Sequence, residues 1–405
     1  MILRFRLSVI IAFPNGSTPL WRQTVKIGIP KEIGPGETRV AVIPSMISSL
    51  TRDEHEVLVE TQAGLAASFT DEEYQQAGAR ILSDAASLYA SSDIILKVQP
   101  PQLHPVLRKD EAELLKAGST YVGFLAPLAN TDIVRIFLRR RITGFAMEYI
   151  PRISRAQSMD ALSSMSTIAG YKAVLLAADS LGKLFPLLIT AAGTVPPATV
   201  LVLGAGVSGL QAIATAKRLG AKVEAFDPRP AVKEQVKSLG ASFIEMDLPE
   251  DAETAEGYAK EQPAEFIRKE MESISARLPK TDAVISTAHV FGKRAPLLIT
   301  EEMVKLMRPG SVIVDLAAEQ GGNCALTKPG GTVERHGVTI IGPVNLAATI
   351  PVDASRMYSK NITTLVRHLF PRPDAVPDFN DEIVRGCCIT HNGEIVNDLV
   401  RDTLK

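Results

Sequence analysis

Residues 200–227 limit the folds open to this chain more than any other segment. They run as an apolar strand, then Gly204-Ala-Gly206-Val207-Ser208-Gly209, then an alanine-rich helix, then a second strand, Lys222-Val-Glu-Ala-Phe226, that ends on Asp227. Each part has a physical task in holding a dinucleotide. Gly204 permits the tight turn from strand to helix, Gly206 lets backbone N–H groups approach a pyrophosphate, and Gly209 lets helix and strand pack closely. The pyrophosphate then lies at the positive end of the helix, where unpaired N–H groups point outward. Asp227, 18 residues past Gly209, stands where a carboxylate accepts a hydrogen bond from a ribose 2′-OH. That carboxylate repels a 2′-phosphate, so NAD(H) is favoured over NADP(H), and Arg229 is expected to line the adenosine end or to pair locally.

The chain is 405 residues long, enough for two domains. An apolar fraction of 46% with 22% charged residues suits a globular α/β protein. A net charge of −1 gives no electrostatic basis for binding nucleic acid or an anionic membrane. Cys324, Cys387 and Cys388 form no disulfide framework and suit a reducing cytosol. The six histidines are scattered without ligand spacing, so no metal site is expected. No unbroken apolar run reaches the ~18–20 residues a spanning helix needs. At the N-terminus, Arg4 and Arg6 precede a short apolar run, 7–13, with no small-residue cleavage site after it. Residues 1–24 are therefore read as a variable extension outside the fold.

From residue 25 onward strand and helix signals alternate. Strands are expected at 25–29, 56–60, 94–98, 120–125 and 144–148, with helices at 45–50, from Thr70, and from Asn130 to Arg140. A long helix at 164–184 leads into the nucleotide fold, where further strands fall at 283–287, 311–315 and 338–341. Residues 248–277 begin charged and poor in apolar anchors, which reads as a long surface loop before a helix, floppy or a functional lid. A helix at 349–370 can bring the chain back to its first domain. The expected architecture is thus α/β, two Rossmann-like domains with doubly wound parallel sheets and a cleft between them. The first comprises residues 25–163 plus 350–405, and the NAD(H)-binding domain residues 164–349.

Between the two lies a polar segment, Pro151-Arg-Ile-Ser-Arg-Ala-Gln-Ser-Met-Asp160-Ala-Leu-Ser163. Together with Gly28-Ile-Pro-Lys-Glu-Ile33, Glu37-Thr-Arg-Val-Ala41, the glycine loop and Asp315-Leu-Ala-Ala-Glu-Gln-Gly-Gly-Asn-Cys324, it closely resembles the NAD(H)-binding peripheral domain of proton-translocating NAD(P) transhydrogenase, the alpha subunit in its soluble split form. The resemblance covers nearly the whole chain from about Val25. It implies that Arg152 and Asp160 pair to fix the loop, and that Gln157 and Ser163 contact the nicotinamide end of NAD(H). It further implies that Tyr258 belongs to a mobile loop that closes over the nucleotide. Val207, Ser208, Pro228, Thr287 and Ala288 complete the expected cofactor contacts.

The rival within the superfamily is alanine dehydrogenase, whose chemistry needs an acid/base group beside the reacting carbon. The histidine that family supplies aligns with Gly123-Phe-Leu-Ala-Pro-Leu-Ala129, which has none, and its active-site aspartate aligns with Glu319. Arg39 and Lys97 match its substrate-binding arginine and lysine, which leaves the choice open. Transhydrogenation needs no such base, because hydride passes directly between two nicotinamide rings held in contact. With one dinucleotide fingerprint here, NADP(H) is expected on a partner, the membrane-spanning subunits including the NADP(H)-binding beta subunit. By resemblance the chain should dimerise and sit peripheral to the cytoplasmic membrane, on the cytoplasmic side. A non-catalytic NAD-sensing subunit is the reading from a different class. His289 and Phe291, and the run Gly342-Pro-Val-Asn-Leu-Ala-Ala348, depart from the family pattern near the expected cleft.

Overall fold

The computed structural model describes residues 24–245, 264–289 and 294–404. Most of the N-terminal extension, Tyr258 and Phe291 lie outside the described residues. The first sheet opens with β1 (Lys26–Ile29), β2 (Glu56–Glu60), β3 (Arg80–Leu82), β4 (Ile94–Leu96), β5 (Thr120–Gly123) and β6 (Thr143–Ala146), all parallel, in the spatial order β3-β2-β1-β4-β5-β6. That is the doubly wound order, with its switch point between β1 and β4. Both faces are covered, and β4 and β6 are buried at every position, as expected of strands in a parallel sheet.

The long helix α1 (Ala161–Ser180) follows, three to four residues earlier than the expected 164–184. Its start is set by Asp160, whose carboxylate accepts from the Ser163 N–H as an N-cap. An exposed hairpin, β7 (Leu188–Thr190) and β8 (Gly193–Val195), comes next. The second sheet takes β9 (Thr199–Leu203), β10 (Lys222–Phe226), β11 (Ser242–Phe243), β12 (Ala283–Ser286), β13 (Val312–Asp315), β14 (Gly331–Arg335) and β15 (Val338–Gly342), ordered β11-β10-β9-β12-β13-β15-β14. Only β14 is antiparallel, so the doubly wound order recurs with the switch point between β9 and β12. Helix α2 (Val207–Arg218) leaves β9 through the glycine loop. Helix α3 (Pro351–Leu369) then carries the chain back, and β16 (Cys388–His391) and β17 (Glu394–Ile395) extend the first sheet beyond β6.

Four apolar clusters cover the faces of the two sheets, and α1 joins one from each domain. Its first half, with Ala161, Met165 and Ile168, packs into the core around α3, while Ala173, Val174 and Ala177 pack into the core of the nucleotide fold. Among the described residues α1 is the one helix long and apolar enough to cross a membrane. Its apolar residues enter these clusters only in part: 39% of its apolar window is buried, and Tyr171 is 42% exposed.

Candidate functional site

The glycine loop is shaped by contacts that leave no room for side chains. Gly204 has φ +90°, and a Cβ there would lie 2.7 Å from the Thr287 Oγ1. A Cβ on Gly209 would lie 1.9 Å from the Gly204 carbonyl oxygen, so the third glycine closes helix onto strand as its position predicts. Gly206 is different: its added Cβ would meet nothing nearer than the Arg229 Nη2 at 3.9 Å, so this side is open. Gly206 is also the N-cap of α2 and brings no side chain to the orphan N–H groups of the first turn, where Val207 is exposed and Ser208 half-buried. An open backbone concavity at a helix N-terminus fits a pyrophosphate.

Thr287, at the end of β12, donates its hydroxyl to the Gly204 carbonyl at 3.1 Å and pins the loop across the switch point. Beside it Ala288 is held through both backbone groups by the buried Asn323, whose side chain accepts from the Ala288 N–H at 3.1 Å and donates to its carbonyl at 2.9 Å. Asn323 is in turn positioned by the fully buried Asp315 at the end of β13, which accepts from the N–H groups of Ala317, Asn323 and Cys324 and from the hydroxyls of Ser286 and Thr327. In the sequence this stretch stands out only as a matching motif. An acid ending an apolar strand and followed by two glycines is the signal that could have found it.

Asp227 is buried and already engaged. One oxygen accepts from the Arg229 N–H and Nε, each at 2.9 Å. The other accepts from the Ala205 N–H at 2.7 Å and the Arg229 Nη2 at 2.8 Å. A carboxylate has about four lone-pair positions, so all are taken. Of the two roles expected for Arg229, local pairing is observed. Half-buried Pro228 turns the chain between the two.

The inter-domain segment is not a loose linker. Residues Ser154–Met159 form a 3-10 helix anchored by the buried side chains of Ala156 and Met159. Arg155 forms a two-bond pair with Asp381, at 2.7 and 3.1 Å, and the Asn361 amide of α3 donates to the Ser158 carbonyl at 2.9 Å. The Arg155 bonds hold the Asp381 carboxyl down at about 2. Gln157 and Arg152 are both exposed on this rigid base. The resemblance implied an Arg152–Asp160 pair, whereas here both Asp160 oxygens accept from Ser163, its N–H at 2.8 Å and its hydroxyl at 2.5 Å. Ser163 lies two turns, roughly 10 Å, before Gly170 on α1. Gly170 packs directly on the Ser208 backbone, where a Cβ would come within 2.1 Å of the carbonyl oxygen. One stiff helix therefore sets the distance from the Gln157 segment to the glycine loop.

The two cations that matched a dehydrogenase substrate site are buried and fully engaged. Lys97, 1% exposed, donates to both oxygens of Glu111 at 2.8 and 3.0 Å and lies 3.3 Å from Glu32. Arg39, 4% exposed, donates Nε and Nη2 to Glu37 at 2.7 and 2.6 Å. Burial pushes Glu37 up, but the bonds from Arg39 and Gln99 dominate and hold its carboxyl at about 2. Asn345, left-handed at φ +46°, joins this pair by accepting from Arg39 and donating to Glu37, while its N–H donates to exposed Glu319 at 3.0 Å. The unusual run at 342–348 is thus a strut between the two sheets. Leu125 and Ala126, within the segment 123–129 with which the dehydrogenase histidine aligns, donate their backbone N–H groups to half-buried Glu148. His289 is exposed and, among the described residues, bonds the Thr287 carbonyl at 2.9 Å.

A doubly wound pair of sheets with an open glycine loop at the second switch point defines a class of nicotinamide-nucleotide-binding proteins. Within that class, residues 28–169 match the N-terminal domain of the alanine dehydrogenase/PNT family and residues 173–398 its C-terminal domain, and the chain belongs to that family. It is 50% identical to an NAD(P) transhydrogenase alpha-subunit chain of Rhodospirillum rubrum over 380 residues, covering 92% of this chain and 98% of that protein. A solved transhydrogenase from Sinorhizobium meliloti superposes with a TM-score of 0.80 at 39% identity, covering 92% of this chain and 99% of the other. The alanine dehydrogenase of Methanococcus maripaludis is more distant, 31% identical over 332 residues, with 80% of this chain and 82% of that protein covered.

Proposed function

We propose that this chain is the NAD(H)-binding component of a proton-translocating transhydrogenase and hands hydride to NADP⁺ held on a partner subunit. The observation that carries the reading is the engagement of Arg39 and Lys97 by Glu37, Glu111 and Glu32. A carboxylate substrate would have to displace buried ion pairs, and residues 123–129 offer no acid/base group. Bound NADH supplies the hydride: its C4–H bond breaks with both electrons and a C–H bond forms on the NADP⁺ ring, with no proton transferred at carbon. The protein's own role is positioning. Gly206, Val207 and Ser208 hold the pyrophosphate, Thr287 and Ala288 wall the cleft, Asp227 with Arg229 fixes the adenosine end, and Gln157 with Ser163 orients the nicotinamide. Tyr258, outside the described residues, would close over it. The sheets support a division into residues 25–163 plus 350–405 and residues 164–349. The partners are the membrane-spanning subunits, including the NADP(H)-binding beta subunit, and the chain is peripheral to them on the cytoplasmic side.

The test is to offer the purified chain NADH with pyruvate and ammonia, or with a separate NADP(H)-binding partner. Turnover is expected only with the partner. Pyruvate-dependent oxidation of NADH overturns the reading in favour of an amino-acid dehydrogenase, and binding without turnover in either case favours a sensor. In the active mixture Gln157→Asn should slow hydride transfer roughly ten- to a hundredfold while changing NADH affinity far less, because a small misplacement of a reacting ring is costly. Equal losses would argue against a positioning role.

Dimerisation is supported by the β7–β8 hairpin. Its six residues are exposed or half-exposed, with Ile189 78% and Leu187 just before it 52% exposed. An isolated two-stranded hairpin is only marginally stable in water, and this apolar one suits burial against a second copy. Ile189→Asp should turn a dimer into a monomer in sedimentation equilibrium without altering the far-UV spectrum. A variant that remains dimeric places the interface elsewhere.

A further inference from the structure

Gln157 is carried by a turn that cannot fix its own orientation. Ser154–Met159 is a six-residue 3-10 helix, and no side chain caps its start. With three residues per turn it presents three edges. Ala156 and Met159 make the buried edge, Ser154 and Gln157 a second, and Arg155 and Ser158 a third. Apolar contacts are non-directional, so the buried edge holds the turn against the core without fixing its roll. The Asn361 bond to the Ser158 carbonyl acts along the axis, the direction of helical carbonyls, and resists sliding. Roll is restrained on the third edge. Arg155 donates to both Asp381 oxygens, at 2.7 and 3.1 Å, across 226 residues of chain. A two-bond guanidinium–carboxylate pair is planar and directional, unlike a single ammonium contact. Asp381 is itself fixed. Its carboxylate accepts from the Ile383 N–H at 2.7 Å as N-cap of the short helix Glu382–Cys387, and the His368 imidazole of α3 stands 3.4 Å from one of its oxygens. Ile383 and Val384 of that helix enter the same apolar cluster as Ala156 and Met159. The helix also abuts the start of the segment, where a Cβ on Gly386 would lie 3.2 Å from the Pro151 Cδ.

We propose that Asp381 is a positioning residue for hydride transfer: through Arg155 it sets the roll of the Ser154–Met159 turn, and so the direction in which Gln157 meets the nicotinamide. The inference rests on the assignment of Gln157 to the nicotinamide end. Magnitudes separate this role from a structural one. The Arg155 and Asp381 side chains are 50% and 18% exposed, and ion pairs so placed add little to folding. A misplacement of about 1 Å at a reacting centre, by contrast, can cost about a hundredfold in rate. A matched pair elsewhere isolates the difference. Arg367 of α3 forms the same kind of two-bond pair with Asp53, at 2.5 and 3.3 Å, with side chains 51% and 16% exposed. Asp53 closes the helix Pro44–Arg52 just before β2 begins, at the amino ends of the strands and away from the Gln157 turn.

The test compares Asp381→Asn with Asp53→Asn in the full chain. Asparagine remains a good N-cap but offers one acceptor oxygen, so the cap survives and the fork is lost. With NADH and a separate NADP(H)-binding partner, Asp381→Asn should slow single-turnover hydride transfer roughly tenfold or more, while the NADH dissociation constant stays within about twofold of the wild type. Asp53→Asn should transfer hydride at the wild-type rate. A second readout needs no nucleotide: amide hydrogen exchange over residues 153–160 should quicken in Asp381→Asn and stay unchanged in Asp53→Asn. Arg155→Met should reproduce both effects, and the double variant should lose no more than either single one, because the two side chains act as a unit. Losses that multiply in the double variant, or an Asp53→Asn chain as slow as Asp381→Asn, overturn the proposal. A normal transfer rate in Asp381→Asn beside a slow Gln157→Asn overturns the proposal alone. Wild-type chain that passes no hydride to the partner's NADP⁺ overturns the underlying reading, and the proposal with it.

Discussion

Gly170→Ala should cost about tenfold or more in NADH affinity and ~1–3 kcal/mol in stability, although Gly170 belongs to no nucleotide motif. The added methyl would lie 2.1 Å from the Ser208 carbonyl oxygen and 2.9 Å from the Ser208 carbonyl carbon, both backbone. Neither can rotate away, so α1 and α2 must separate. Separation moves the N-terminal turn of α2, whose N–H groups are assigned to the pyrophosphate. It also changes the span between that turn and the Gln157 segment at the other end of the same helix. The control is Gly182→Ala, two residues beyond α1, where an added Cβ meets nothing within 4 Å and φ lies outside the left-handed region. That variant should bind NADH and melt like the wild type. NADH titration and thermal melting of the pair decide the matter: if Gly170→Ala behaves as Gly182→Ala does, the close approach of the two helices does not control the site.

The sequence made the frame legible wherever local chemistry and tertiary burial agree. The strand at 56–60 was placed to the residue, because a Val-Leu-Val run buried on both faces has one outcome, and the Thr70 cap became a reciprocal capping box with Glu73. The glycine loop was readable because each glycine answers a separate steric demand. Positions whose role depends on a distant neighbour were not legible. Gly170 looks like a mild helix defect until Ser208 is seen against it. Arg39 and Lys97 read as substrate ligands or as inheritance, and their carboxylate partners lie from 2 residues (Glu37) to 65 residues (Glu32) away along the chain. The strand Gly331–Arg335 was missed because an exposed edge strand shows little apolar alternation. Asp227 was found by spacing, but its saturation by Arg229 depends on how that side chain folds back.

Lys97→Met should destabilise the protein by ~3–5 kcal/mol, the usual cost of removing one partner from a buried ion pair. Lys97, Glu32 and Glu111 have side chains 1–2% exposed, and one ammonium serves two carboxylates. Methionine keeps the volume and removes the charge, leaving two buried acids facing each other. Glu111 would retain the Tyr89 hydroxyl at 2.8 Å and the Gln102 N–H at 2.9 Å, and Glu32 the Val98 N–H. Those bonds favour the ionised forms, but burial raises the Glu32 carboxyl even beside Lys97, so without the ammonium its charged form is further disfavoured. Glu111→Gln in the same chain removes one of the two negative charges, and the double variant should recover some of the loss, which urea denaturation can resolve as a shift in midpoint at constant slope. NADH affinity of the folded fraction should be nearly unchanged, since Lys97 sits at the switch point of the first sheet and the glycine loop at that of the second. The two readings of the superfamily diverge on this residue. A substrate-binding lysine, once removed, abolishes turnover of an oxo acid and spares stability, whereas a structural lysine does the reverse. A Lys97→Met protein as stable as the wild type would mean that the carboxylates are not held by this ammonium, and the strongest argument against an amino-acid substrate would go with it.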